Sequence, residues 1–211
     1  MIECVIFDCD GILVDSEILC NLGLEIKLKE FGVKVDSKLM SDRFRGWKLA
    51  DIIYVLSEEY DLKLDDNFID SYRKVVEDLF NSQLQLIPNV AFALENISYS
   101  KCVASNAPLD KIKQAVRVTG IEHFFKDNLF SAYTVRVWKP EPDLFLYAAK
   151  MMEVSPEKCI VIEDSILGIE AAKYAGMKSF FYQPRKDILL ESNETTCFEN
   201  MLELPKLISK I

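Results

Sequence analysis

The chain has 211 residues, enough for one large domain or two small ones, and half of them are hydrophobic, which argues against a disordered protein. The net charge of −9, without any Lys and Arg cluster large enough to neutralise a row of phosphates, argues against nucleic-acid binding. No apolar run has the length of a membrane span and the first residues form a strand rather than a cleavable leader, so we expect a cytoplasmic protein that binds no membrane.

The first predicted element is a buried strand that ends in two carboxylates. An apolar run rich in Val and Ile, residues 2–7, is followed directly by Asp8, Cys9, Asp10 and Gly11. Side chains alternate along a strand, so Asp8 and Asp10 are expected to point the same way. Neighbouring carboxylates at a strand end cost desolvation and mutual repulsion unless a cation or a proton offsets them. We therefore predict an active site here, in which the pair shares an ion or flanks a reacting group.

The next segment, as far as about residue 83, has only helical periodicity. Ser16 is a candidate N-cap for a first helix, and Gly32 is a plausible stop for it. Two further runs with apolar residues at helical spacing follow at 49–60 and 68–79. No strand pattern intervenes, so this segment is predicted to be all-helical.

From residue 87 onward, predicted strands and helices alternate. The strands are expected at 101–105, 129–132, 159–162 and 178–181, and the helices between them at 108–118, 142–152 and 165–175. Such alternation is typical of a parallel sheet with helices on its faces. The predicted fold class is therefore α/β, with a Rossmann-like parallel-sheet core, helices on both faces and an inserted all-helical domain.

The first strand belongs with the later strands, so the helical segment interrupts the core. We predict a core of residues 1–14 and 84–211 and a helical cap of residues 15–83. The alternative is one continuous α/β domain with an N-terminal helical subdomain, and little about the function depends on this choice.

Three polar motifs follow later predicted strands or open helices. Ser105 and Asn106 precede a helix start that suits an anion, Lys139 supplies a cation, and Glu163-Asp164-Ser165 repeats the pattern of carboxylates after a strand. Taken singly, these are an ordinary turn, a solvated lysine and an N-cap cluster. Their conjunction with Asp8 and Asp10 at the ends of strands in one sheet predicts a single site.

The types of metal ligand available narrow the choice of metal. The six cysteines contain no CxxC pair, and the chain has one histidine, His123, which is expected to be an ordinary helix or turn residue. A metal in this protein must therefore be held by oxygen, which points to Mg²⁺.

The ordered motifs resemble those of the haloacid dehalogenase superfamily. They are FDCDG at 7–11, SN at 105–106, KPEPDLF at 139–145 and EDS at 163–165. The helical insert is similar to the cap of the subgroup of β-phosphoglucomutases and small sugar-phosphate phosphatases. Residues 43–49, 129–131 and 138–140 resemble those of the bacterial 6-phosphogluconate phosphatases in particular.

The resemblance implies a role for each motif residue. Asp8 would be the nucleophile that forms an aspartyl-phosphate, and Asp10 the general acid and then the base. Mg²⁺ would be held by Asp8, the Asp10 carbonyl and Asp164, with Glu163 beside it as a ligand or a supporting group. The remaining motif residues, Ser105, Asn106 and Lys139, would hold and neutralise the phosphoryl group.

The relatives differ in chemistry, and single residues separate them. Dehalogenases and phosphonate hydrolases of the superfamily lack the second aspartate, so Asp10 favours a phosphate ester. Lys48 faintly resembles the Schiff-base lysine of the phosphonate enzymes, but a solvated or phosphate-steering lysine fits better. The mutases carry a cap histidine where this chain has Cys20, which makes mutase chemistry the weaker alternative. A phosphotransferase and a catalytically silent ligand-binding protein remain open.

The predicted substrate class depends on the cap. Arg43, Arg45 and Lys48 surround Gly46, which permits close backbone approach, and the cations could meet a substrate carboxylate. The alternative is that these residues simply face water. The expected activity is Mg²⁺-dependent hydrolysis of a small phosphorylated metabolite, a sugar phosphate such as 6-phosphogluconate, by a monomer.

Overall fold

The computed structural model describes residues 1–44, 47–184 and 195–211. Its contacts divide the chain into two compact units, one of Met1–Val14 with Gln85–Ile211 and one of Asp15–Leu84. The predicted division differs from these bounds only in the placement of Leu84. The role of the second unit as a cap stays a prediction.

The first unit is built on a parallel sheet. Among the described residues, six strands lie in the order β3-β2-β1-β4-β5-β6, and every neighbouring pair is parallel. They are β1 (Cys4–Phe7), β2 (Ser100–Ser105), β3 (Leu129–Ser131), β4 (Cys159–Glu163), β5 (Lys178–Tyr182) and β6 (Thr195–Phe198). The predicted parallel α/β fold is confirmed, and β6 is an additional edge strand.

The register of the sheet brings the ends of the central strands together. Phe7 at the end of β1 is paired with Val103 of β2 on one side and with Ile162 of β4 on the other. The next amide, that of Asp8, donates to the carbonyl oxygen of Ile162 at 3.0 Å. Strand β1 lies between β2 and β4, which both follow it in the chain, so the strand order reverses beside it. The carboxyl edge at such a reversal is the usual place for ligands in open α/β sheets.

In the part of the second unit that the structure describes, every regular element is a helix, and there is one helix more than the sequence pattern indicated. Its helices are α1 (Glu17–Lys29), α2 (Ser37–Phe44), α3 (Leu49–Tyr60) and α4 (Phe68–Gln83). Helices α1 and α4 pack closely at Gly23, where a Cβ atom would lie 2.7 Å from Cγ2 of Val76. Ser16 occupies the N-cap position of α1, but its side chain makes no capping hydrogen bond.

The helices of the first unit cover both faces of its sheet. They are α5 (Val90–Asn96), α6 (Leu109–Val118), α7 (Glu122–Phe125), α8 (Ala132–Val135), α9 (Asp143–Met151), α10 (Ile166–Tyr174) and α11 (Leu204–Ile208), with 3₁₀ turns at Pro156–Lys158 and Met201–Glu203. Cys4 and Ile6 belong to a core cluster with residues of α9 and α10. Phe7 points to the opposite face, because strand side chains alternate. Its ring packs edge-to-face with that of Phe125, with 6.0 Å between the ring centroids.

Within the described ranges, no helix combines the length and the apolar character needed to cross a bilayer.

Candidate active site

Asp8 and Asp10 lie in a tight turn immediately after β1. The amide of Gly11 donates to the carbonyl of Val14 at 2.9 Å, and that of Leu13 donates to Cys9 at 3.0 Å. Gly11 has φ +80°, a conformation that L side chains rarely adopt, so glycine suits this turn. Because the strand ends at Phe7, its alternation does not extend to Asp10. The prediction that the two carboxylates point the same way stays a prediction, and the two contact different lysines.

Lys139 joins two of the buried carboxylates. Its Nζ lies 2.6 Å from Oδ1 of Asp8 and 2.6 Å from Oε1 of Glu163, and all three side chains are almost fully buried. Its amide donates to Oδ1 of Asn106 at 3.0 Å, which ties the Lys139 backbone to the turn after β2. Burial alone would lower the pKa of Lys139, but the two carboxylates outweigh burial and raise it. Lys139 is therefore a fixed positive charge.

The negative charge of Asp8 remains unfavourable despite this lysine. Burial, together with the charges of Glu163 and Asp10, raises the pKa of Asp8 to about 7 against the opposing effect of Lys139. One buried ammonium group does not balance the carboxylates gathered around it. An additional cation beside Asp8 would offset this imbalance.

Glu163 is occupied by protein donors at both of its carboxylate oxygens. Oε1 accepts from Lys139, while Oε2 accepts from the amides of Asp164 and Ser165 at 3.0 Å each and from Oγ of Ser165 at 2.8 Å. A Cβ atom at Gly168 would lie 1.9 Å from Cδ of Glu163, so the start of α10 leaves room for this carboxylate only because residue 168 is glycine. These contacts favour a supporting role for Glu163 over direct metal ligation.

Asp164 completes an acidic group that fits a hard cation. Ligand oxygens of Asp8, Glu163 and Asp164 all lie within 4.8 Å of one another. A Cβ atom at Gly11 would lie 2.0 Å from Oδ2 of Asp164, so the turn after β1 and the end of β4 approach each other closely at this carboxylate. Clustered carboxylate oxygens are the ligand type that Mg²⁺ prefers. The donor set therefore fits the expected metal.

The predicted anion-binding turn is held by one hydrogen bond within the turn and by one from β3. Oγ of Ser105 accepts from the amide of Ala107 at 3.1 Å, and Oγ of Ser131 donates to the carbonyl of Ala107 at 2.6 Å. Ser105 is buried, and Asn106 contacts the Lys139 backbone. The structure thus brings Ser105, Asn106 and Lys139 to the same edge as Asp8. Their contact with a phosphoryl group stays a prediction.

Lys111 was not expected at this edge from the sequence. Its Nζ lies 3.0 and 2.9 Å from the two carboxylate oxygens of Asp10. The one feature of the sequence that could have indicated this contact is a lysine in the first turn of α6. The helix dipole disfavours a cation at that position, so an acidic partner would be favourable.

Of the predicted binding residues of the helical unit, the structure describes Arg43 and Lys48. Arg43 forms an ion pair of 2.7 Å with Glu59 and lies over the ring of Phe44. Lys48 is exposed just before α3. Arg45 and Gly46 lie outside the described residues, so their predicted binding role stays a prediction.

His123 lies in the short helix α7, in keeping with the prediction of an ordinary helix or turn residue. It is exposed, and its Nδ1 lies 3.0 Å from the carbonyl oxygen of Gly120.

Comparison with known proteins assigns the family. Residues 5–182 match the model of the haloacid dehalogenase-like hydrolases. The 6-phosphogluconate phosphatase of Escherichia coli K12 is 37% identical over 209 residues, which cover 98% of this chain and 94% of that protein. The phosphorylated carbohydrates phosphatase of Thermotoga maritima is 28% identical over 85% of this chain and 84% of its own.

A solved structure shows the same fold. The haloacid dehalogenase-like protein of unknown function from Agrobacterium tumefaciens superposes with a TM-score of 0.83 at 28% identity, covering 100% of this chain and 99% of its own. Together these matches confirm the expected enzyme class, a phosphoric monoester hydrolase. The chain belongs to the family of haloacid dehalogenase-like hydrolases.

Proposed function

We propose that this protein is a Mg²⁺-dependent phosphatase that hydrolyses a small sugar phosphate through an aspartyl-phosphate intermediate. The observation that carries the proposal is the buried arrangement of Asp8, Lys139 and Glu163, with Asp164 beside it. A carboxylate in contact with a fixed cation, next to an oxygen-rich metal site, suits attack on a phosphoryl group.

The reaction has two balanced halves. In the first, a carboxylate oxygen of Asp8 attacks phosphorus and forms a new P–O bond, while the bond from phosphorus to the ester oxygen breaks. Asp10, as the acid, gives its proton to the departing oxygen and releases an alcohol. In the second, Asp10 takes a proton from water, whose oxygen attacks phosphorus while the bond from phosphorus to the Asp8 oxygen breaks. Inorganic phosphate leaves and the Asp8 carboxylate is restored, so one water is consumed per ester.

The other residues stabilise charge during both halves. Lys139 supplies a buried positive charge at Asp8, where negative charge accumulates as the phosphoryl group approaches. Ser105 and Asn106 lie on the turn before α6 and would hold phosphoryl oxygens. Glu163 keeps Lys139 oriented through Oε1.

Asp8, Asp164 and the carbonyl of Asp10 would hold the metal. A bound Mg²⁺ supplies positive charge that offsets the repulsion between the Asp8 carboxylate and the phosphate dianion. The oxygen donors within 4.8 Å support this assignment, as does the raised pKa of Asp8.

Adding Mg²⁺ to the metal-free protein is expected to raise its melting temperature. An ion that binds only the folded state stabilises it by about 2.7 kcal/mol at 100 times its Kd. Asp164→Asn should lose most of this shift, whereas Asp127→Asn, at an exposed position in the same unit, should retain it. Calorimetric scans with Mg²⁺ and with EDTA measure both, and equal shifts in the two variants would contradict the site.

The proposed substrate is a sugar phosphate, with 6-phosphogluconate as the leading candidate. Two relatives support this class, since one is named a 6-phosphogluconate phosphatase and the other a phosphorylated carbohydrates phosphatase. Cationic residues of the helical unit, Arg43, Arg45 and Lys48, would recognise the substrate carboxylate. Arg43 already has a carboxylate partner in Glu59, and Lys48 is exposed. Of these two residues, Lys48 is therefore the more available for a substrate carboxylate.

A phosphate-release screen tests the proposal. The purified protein with Mg²⁺ is expected to release phosphate fastest from 6-phosphogluconate or another sugar phosphate, and more slowly from phosphoglycolate and nucleotides. No release from any member would contradict the phosphatase assignment. Transfer of ³²P label to an acceptor sugar instead of water would favour the phosphotransferase alternative.

A further inference from the structure

We propose that Lys111 is a positioning residue that holds the carboxylate of Asp10 at the reacting edge of the sheet. This inference rests on the proposed function, because it concerns Asp10 in its role as the acid and base. It adds to that function a residue from α6 that acts through Asp10.

The contact between the two side chains is specific. Nζ of Lys111 lies 3.0 Å from Oδ1 and 2.9 Å from Oδ2 of Asp10, so a single ammonium group contacts both carboxylate oxygens. The pair joins the turn after β1 to the first turn of α6, across 101 residues of chain. Charge-assisted hydrogen bonds of this length are the stronger kind in proteins.

The position of Lys111 at the start of a helix is unfavourable for a cation, and Asp10 provides a carboxylate partner for it. Lys111 is the third residue of α6, and the N-terminal turn of a helix carries a partial positive charge that disfavours cations. Its neighbour Asp110 cannot compensate in the same way, because adjacent residues of a helix do not face each other. The Asp10 carboxylate therefore offsets an unfavourable placement.

The backbone of Asp10 is already ordered, but its side chain is not buried. Asp10 forms an isolated bridge with Val14, and the amide of Gly11 donates to the Val14 carbonyl. The Asp10 side chain is 34% exposed and that of Lys111 is 25% exposed. Ion pairs this exposed contribute little to stability. We therefore infer that this ion pair orients Asp10 and adds little to the stability of the fold.

Asp8 and Asp10 also contact different lysines. Lys139 contacts Asp8, and Lys111 contacts Asp10. The attacking carboxylate and the proton-transferring carboxylate are thus held by separate cations, one on the loop before α9 and one on α6. This separation allows Asp10 to be oriented without competition for Lys139.

The test compares Lys111→Met with Lys113→Met, an exposed lysine two residues along the same helix. The substrate is the sugar phosphate that is hydrolysed fastest in the screen. With it, Lys111→Met is expected to lower kcat about tenfold, because a misplaced acid loses part of the rate gained by general acid catalysis. The KM of this variant should stay within about twofold of the wild-type value. Lys113→Met should match the wild type. Lys111→Arg, which retains the charge, should recover most of the loss, and all variants should melt at the wild-type temperature.

Two further measurements separate positioning from other roles. With p-nitrophenyl phosphate, whose leaving group departs without a proton, the first half-reaction needs no acid, so Lys111→Met should lose less activity. In the background of Asp10→Asn, adding Lys111→Met should cause no further fall. An unchanged kcat, a rise in KM alone, or an additional loss in the Asp10→Asn background would each overturn the inference while the wild type stays active. Failure of the wild type itself to release phosphate would overturn the proposed function first.

Discussion

Asp8→Asn is expected to lower turnover of the best sugar phosphate by on the order of 10⁴- to 10⁶-fold, the range measured when other enzymes lose a residue of their covalent catalytic machinery. Asparagine fits the same space but has no anionic oxygen to attack phosphorus, so no aspartyl-phosphate forms. The fold should persist, because Lys139 keeps Glu163 as a partner. Burial already disfavours the charge of Asp8, so the melting temperature of the metal-free variant should not fall.

Steady-state phosphate release and acid-quench trapping of labelled enzyme measure this effect. The wild type should carry the label on Asp8 after brief exposure to a labelled ester, and Asp8→Asn should carry none. Asp127→Asn, at an exposed carboxylate of the same unit, serves as the control and should retain full activity. Unchanged turnover in Asp8→Asn would rule out this nucleophile and indicate that a contaminating phosphatase produced the activity.

Lys139→Met is expected to reduce both activity and stability. The lysine is buried between Asp8 and Glu163 at 2.6 Å from each, so its loss leaves buried carboxylates without their shared cation. Removing one partner of a buried ion pair costs about 3–5 kcal/mol of unfolding free energy. The phosphoryl group also loses a fixed positive charge, which we expect to lower kcat by about 10²- to 10³-fold, the cost of one oriented stabilising group.

Urea unfolding and phosphate release measure the two effects separately. Lys158→Met is the matched control, because Lys158 pairs with Glu3 at the similar distance of 2.7 Å but at the exposed surface. That variant should unfold at nearly the wild-type urea concentration and keep its activity. If both variants were equally stable, the buried lysine would not be the main compensating charge of the site.

The core strands could be predicted because each is a short buried run with few other interpretations. Strand β1 and the first four residues of β4 consist of Val, Ile, Cys and Phe that are almost fully buried, which is typical of the centre of a parallel sheet. The edge strand β6 was not predicted. Two of its four residues, Thr196 and Cys197, are exposed, so it lacks the apolar run that marks a central strand.

The carboxylates of the site were recognisable for a similar reason. Asp8 and Asp10 directly follow β1, and Asp164 directly follows β4, so the sequence places acidic groups where parallel strands end. What could not be predicted was the partner of each. Alternation along the strand indicated a single direction for Asp8 and Asp10, but it applies only as far as Phe7. The hydrogen bonds of the turn then determine where Asp10 points.

The sequence by itself determined the fold class, the two carboxylates after the first strand and the expectation that any metal is held by oxygen ligands. These follow from local composition and spacing, since burial and strand ends leave periodic patterns along the chain. The tertiary structure decided that Lys139 neutralises Asp8 and Glu163, that Glu163 is held by Ser165, and that Lys111 contacts Asp10. The two lysine contacts join residues 131 and 101 positions apart at Asp8 and Asp10, so no local pattern records them. The pairing of charges is a property of the assembled sheet edge, where desolvation makes the buried carboxylates of Asp8 and Glu163 depend on the cation that folding brings beside them.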